Sequence, residues 1–243
     1  MSKQRYLCLL VMFIFLCFNT FAYGKLLFRD DFEGDTVGDA PKNFEKIDNP
    51  TNAANFKSDI VKDPDGKSGK VAHTFNYALH IPKSADRDNW TSWTWEWDWM
   101  WSEMGFPGTA FRITGNKYYH ISPRNDNKSV GFWYYDGNWN QKGALVQYDF
   151  GLKTWNRFQV VADGDKFTFK VKRRDDTTPF AKIKPLIEVQ DNTLTKGPVS
   201  ACGTNTDAWM DNFILGELES DLTFAVDQSG KLTTTWGKIK DQN

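Results

Sequence analysis

The chain of 243 residues carries 30 Lys and Arg against 31 Asp and Glu, a net charge of −1. That balance argues against nucleic acid as a partner, because phosphate binding needs a basic excess or a basic patch. The length suits one sandwich-type domain and is short for two. Eleven Trp, 19 Phe and 8 Tyr form the compositional oddity. Aromatics favour strands, and Trp also stacks on the apolar faces of sugar rings, so composition alone does not separate a core from a binding surface.

The first residues read as an export leader. Lys3 and Arg5 precede an apolar run over 6–18, and Ala22 and Gly24 supply the small residues of a cleavage site. Cleavage is expected after Gly24, with Ala22 as the alternative. The apolar run is too short for a bilayer core of about 30 Å, which needs roughly 20 residues, and no second run follows. The mature chain is therefore expected to lack a transmembrane segment and to be secreted, periplasmic or held at the cell surface. Without Lys3 and Arg5 it carries 28 basic against 31 acidic residues. Cys8 and Cys17 leave with the leader, so Cys202 has no intramolecular disulfide partner and the core must supply stability.

Period-two alternation then dominates the chain. Strands are expected over 26–32, 56–61, 70–79 and 91–101, the second and third separated by the turn signal Asp63-Pro64-Asp65-Gly66. Further strands follow over 109–114, 118–122, 130–135 and 144–150, with hairpin turns at Gly115-Asn116-Lys117 and Asp136-Gly137. Residues 155–163 and 166–173 flank Gly164 as another hairpin; 183–189, 198–202 and 208–215 complete the series. Many short strands between turn signals indicate an all-β, antiparallel sandwich or jelly roll. The expected organisation is a leader (1–24), a sandwich (25–217) and a tail (218–243). In the tail, Leu232, Trp236 and Ile239 fall at helical spacing and allow a short amphipathic C-terminal helix.

Three segments together resemble the concanavalin A-like lectin/glucanase superfamily, especially its laminin-G-like jelly rolls. Phe28-Arg29-Asp30-Asp31-Phe32-Glu33-Gly34 is similar to the opening strand of such domains. Thr154-Trp155-Asn156-Arg157-Phe158-Gln159-Val160, followed by Asp163-Gly164-Asp165-Lys166-Phe167, resembles their W-x-R-x-x-V hairpin. Gly197-Pro198-Val199 leading to Trp209-Met210-Asp211-Asn212-Phe213 looks like the closing strand. The resemblance implies a sandwich fold, shared by lectins, glycosidases, lyases and adhesion modules, and so leaves function open. It also implies that a structural Ca²⁺ is sometimes held between the first and last strands, with Asp211 and Glu33 as candidate ligands. No cofactor is required by any motif, and the three His show no zinc-ligand spacing.

Two constellations carry candidate chemistry. In Trp93-Thr94-Trp95-Glu96-Trp97-Asp98-Trp99-Met100-Trp101 the five Trp share one face of a strand, and Glu96 and Asp98 share the other. Turning the acids inward would bury unpaired charge, so the Trp face is expected in the core and the acids on a sheet surface. In glucanase relatives an E-x-D-x-(x)-E strand supplies the catalytic carboxylates; here the second Glu position holds Met100 or Trp101, so the match stops at Glu96 and Asp98. The second constellation pairs Arg112 with His120 across the hairpin and places Arg112, Tyr118, His120, Trp133 and Tyr135 on one outer face. These side chains suit stacking and hydrogen bonding to a sugar, or, as Arg, His and Tyr together, lyase chemistry. The leading expectation is a secreted carbohydrate-binding or adhesion module for a polysaccharide or glycan. The alternative is a polysaccharide-degrading hydrolase or lyase acting on the concave sheet face.

Overall fold

The computed structural model describes residues 24–47, 57–67, 69–75, 79–102, 108–124, 126–202 and 207–222. The expected leader before Gly24 and the expected helix around Leu232–Trp236–Ile239 lie outside these residues. Among them the chain forms strands β1 (Leu26–Asp30), β2 (Phe44–Ile47), β3 (Lys57–Lys62), β4 (Lys70–Phe75) and β5 (Leu79–Pro82). It continues with β6 (Trp93–Trp101), β7 (Gly108–Thr114), β8 (Lys117–Arg124), β9 (Ser129–Tyr135) and β10 (Trp139–Gln147). The last five are β11 (Asn156–Asp163), β12 (Lys166–Arg173), β13 (Ile187–Gln190), β14 (Val199–Cys202) and β15 (Ala208–Gly216). Among the described residues only short 3₁₀ turns interrupt them, and no described helix is long and apolar enough to cross a membrane.

The strands make two antiparallel sheets packed as a sandwich. The first runs β13-β12-β11-β6-β15-β4-β3, with β1 also pairing β15; the second runs β10-β9-β8-β7-β14-β5-β2. The all-β sandwich expected from period-two alternation is the observed fold. The chain departs from expectation where it changes sheets. Alternation predicts one strand over 70–79, but β4 lies in the first sheet and β5 in the second. The short β2 carries little sequence signal, because it follows Pro41 after only two residues. Strand β10 begins at Trp139, earlier than alternation predicts, and carries a bulge between Lys142 and Val146.

Strand β6 sits between β11 and β15, and all nine of its residues are buried. Its five Trp face the second sheet and form the spine of the core, as alternation requires. Trp95 stacks on Trp97 with centroids 3.9 Å apart, and Trp97 stacks on Phe158 of β11 at 5.2 Å. Across the sandwich, Trp93 meets Phe111 edge-on at 5.7 Å, and Phe167 of β12 packs on Phe111, Tyr119 and Phe132. Such aromatic pairs add about 0.5–1.5 kcal/mol each beyond area burial. This core fixes both sheets and so defines two outer faces on which a ligand site can be built.

Candidate functional site

The candidate residues divide between both outer faces and the interior. Glu96 and Asp98 lie on the outer face of the first sheet. There they are 8% and 1% exposed, held in an ionic network. Glu96 accepts from Gln159 Nε2 at 2.8 Å and Arg157 Nε at 3.3 Å. Asp98 accepts from Asn212 Nδ2 at 2.8 Å and pairs with Arg174 Nε at 3.3 Å. Arg174 also reaches Asp211 at 2.7 Å and Asp63 at 3.7 Å, and its guanidinium lies 4.6 Å over the Trp155 ring. Asp98 and Asp211 are direct cross-strand partners. Like charges opposed in this way repel, and Arg174 relieves the conflict by bridging them. A bulge in β15 between Asp211 and Ile214, with Asn212 at φ 50°, turns the Asn212 amide toward both acids.

Burial raises the pKa of both Glu96 and Asp98, and the nearby Arg157 opposes the shift in each. Retaining glycosidase chemistry needs two accessible carboxyls about 5–5.5 Å apart across the scissile bond. Glu96 and Asp98 stand side by side on one strand and are committed to neighbouring cations and amides. Beside this network lies a cleft of about 490 Å³ lined by Lys67, Lys153, Arg173, Arg174, Asp65 and Asp175, with Trp155 at its wall.

Arg112 does not join the aromatic face, which corrects the expected register. The β7–β8 hairpin closes on a two-residue turn, Gly115-Asn116, between Thr114 and Lys117, with Gly115 at φ 59°. The residues between Phe111 and Thr114 form a bulge, so Ala110, not Arg112, pairs with His120. Arg112 takes φ 52° and turns into the interior, where it is 1% exposed. Its guanidinium donates to the carbonyls of Leu194 (2.7 Å), Thr91 (2.6 Å) and Gly164, and lies 4.6 Å over Phe167. It ties three loops to β7. Ile113, which unbroken alternation from Phe111 would place in the core, packs with Ala110, Tyr118 and Tyr135 on the outer side.

The other four residues do converge on the outer face of the second sheet. Tyr118 pairs with Tyr135, and His120 pairs with Trp133. Tyr118 and Tyr135 stack with centroids 5.1 Å apart. Across them lies Trp139, which alternation does not reveal because Asp136-Gly137-Asn138 reads as loop and the next strand reads as starting later. Trp139 pairs with Tyr135 and packs on Tyr135 at 4.8 Å, His120 at 5.1 Å and Tyr118 at 6.0 Å. It remains 44% exposed, whereas His120 beneath it is 6% exposed. Gln141 extends the face opposite Trp133.

His120 has room only because position 108 is glycine: a Cβ there would fall 1.8 Å from its Cε1. Burial lowers the His120 pKa from 6.5 to about 4, against the opposing effect of a hydrogen bond with the Thr109 backbone. The ring is therefore a neutral donor and acceptor, and its Nδ1 has no hydrogen-bond partner among the described residues.

Of the two candidate metal ligands, Glu33 accepts the Gly69 and Lys70 amides at 3.0 and 2.9 Å, and Asp211 belongs to the Arg174 network. Among the described residues no three His, Cys, Asp or Glu side chains converge as cation ligands.

No protein-family model matches the chain, and no curated protein matches it in sequence. Solved structures do resemble it. Domain 4 of the GH43 extracellular arabinanase AbnA from Geobacillus stearothermophilus, solved in complex with arabinotriose, is similar with a TM-score of 0.55. The identity is 11%, over 82% of this chain and 97% of that one. The carbohydrate-binding module CBM66 from Bacillus subtilis is similar with a TM-score of 0.50 and 14% identity, over 66% of this chain and 94% of that one. The GH43 protein BlXynB from Bacillus licheniformis gives a TM-score of 0.53 and 11% identity over 78% of this chain, which spans 39% of that protein. At such identities the likeness establishes the fold alone. It is consistent with the concanavalin A-like sandwich that the three sequence segments suggest.

Proposed function

We propose that the chain is an exported carbohydrate-binding module whose ligand lies across Trp133 and Trp139 on the outer face of the second sheet. The observation that carries this reading is Trp139: a large indole left half in solvent on an edge strand, backed by Tyr118, Tyr135 and His120. Such a platform stacks on a sugar ring, while the exposed Gln141 beside Trp133 offers its amide to hydroxyls. Exposed aromatics backed by a rigid floor suit binding, because little side-chain freedom is lost when the ligand arrives. The likeness to a carbohydrate-binding module and to an arabinanase domain solved with arabinotriose supports the reading. The balanced charge and the leader-like first residues fit an exported glycan-binding role.

The test is retention on an array of polysaccharides and oligosaccharides, with the wild type beside Trp139→Ala. A central aromatic anchor is worth about 2 kcal/mol or more, so the variant is expected to lose at least about tenfold in affinity. Glycan binding unchanged by Trp139→Ala would move the site elsewhere, and a folded wild type that retains no glycan would end the proposal.

A further inference from the structure

Among the described residues, most charged side chains near the aromatic face are directed away from it or paired. Arg112, which simple alternation places on it, is turned into the core by the β7 bulge and spends its donors on three carbonyls. Lys142 of β10 points to the other side, 2.8 Å from Asp191 and over the Tyr134 ring. At one end of the face Arg124 makes a two-point pair with Asp126, Nε to Oδ1 at 3.0 Å and Nη2 to Oδ2 at 2.5 Å. At the other end Lys117 and Asp136, of opposite charge, are both exposed. Between those ends the described residues on the face include Ala110, Ile113, Tyr118, His120, Ser122, Trp133, Tyr135, Trp139 and Gln141, none of them charged.

We propose that this face selects uncharged saccharides and excludes glycans bearing uronate, sulfate or phosphate at the bound residues; the inference rests on the carbohydrate reading above. The reason is desolvation. Aromatic rings displace water from the ligand, and an anionic group placed there loses hydration without meeting a cation. Of the polar groups on the face, the exposed Gln141 amide meets hydroxyls without carrying charge, while Tyr118, Tyr135, Ser122 and the neutral His120 ring are buried. A site specific in this way works by leaving the wrong ligand's charge unpaired.

The test compares neutral oligosaccharides with uronate-bearing and sulfated polysaccharides, using the intact mature chain, at low and high salt. Neutral binding is expected to change less than about twofold when the Debye length is cut from about 30 Å to about 3 Å by raising ionic strength. It should also depend on Trp139. Gln141→Lys places a cation on the face at an exposed position opposite Trp133. It is expected to strengthen acidic-glycan binding by about fivefold at low salt, with the gain lost at high salt. Tight uptake of an acidic glycan by the wild type, steeply weakened by salt and abolished by Trp139→Ala, overturns the selectivity while leaving the binding reading intact. Absence of both neutral and acidic binding by folded protein overturns both together.

Discussion

Acid should destabilise this protein through His120, by an amount set by its surroundings. The ring lies against Gly108 under Trp139, and burial lowers its pKa from the ordinary 6.5 to about 4. In the unfolded chain the imidazole takes up a proton near pH 6.5; in the folded chain it resists until about pH 4. The stability contributed by keeping the ring neutral is therefore complete above pH 6.5 and is lost as pH falls through that window. At about 1.4 kcal/mol for each tenfold step in proton affinity, the loss amounts to about 3 kcal/mol. Burial also raises the pKa of Glu96, Asp98 and Asp30, whose protonation favours the folded state. The His120 share is isolated by comparing the wild type with His120→Gln in urea unfolding at several pH values. The stability difference between the two proteins should shift by about 3 kcal/mol between about pH 7 and pH 4. A difference that stays constant over that range would refute the placement of a buried neutral imidazole.

Two other perturbations probe the framework of the faces. Arg174→Met leaves Asp98, Asp211 and Asp63 without their shared cation and should cost about 3 kcal/mol in unfolding free energy. Because burial already raises the Asp98 pKa, that deficit should shrink as pH falls, which a pH series of denaturation curves reads directly. Gly108→Ala puts a methyl group where His120 now lies. It should cost about 1–3 kcal/mol by overpacking and should weaken glycan binding, seen by calorimetric titration, because the displaced ring supports Trp139.

The fold is legible in the sequence because alternation and turn chemistry agree over most of the chain. In β6 the Trp at every second position is read as the core face, over a sugar platform, because the opposite face carries Glu96 and Asp98, and the structure places all five in the core. The aromatic face is legible in part: Tyr118, His120, Trp133 and Tyr135 follow from alternation along β8 and β9. Bulges defeat the rest. An extra residue reverses every side chain beyond it, and nothing local in Phe111-Arg112-Ile113-Thr114 announces where the reversal falls. Arg112 thus moves from the candidate surface to an interior tie, and Ile113 moves out. Trp139 is hidden by its neighbours, since Gly137 and Asn138 mark a turn and conceal the strand that starts one residue later. The acids of β6 lie on the strand face that alternation predicts, but one sequence could not reveal that Arg157 and Arg174 would reach them.

The double burial of β6 has a consequence for how this protein can diversify. A strand enclosed on both faces leaves little room for change at any of its nine positions, and it lies in the sheet opposite the aromatic surface. The hairpin bearing Trp133, Trp139 and Gln141 forms the outer edge of its own sheet, and the exposed residues of β10 have few packing constraints. If the aromatic face is the binding site proposed above, recognition and architecture are written in separate parts of the chain, and substitutions in the hairpin would retune ligand preference without touching the Trp spine.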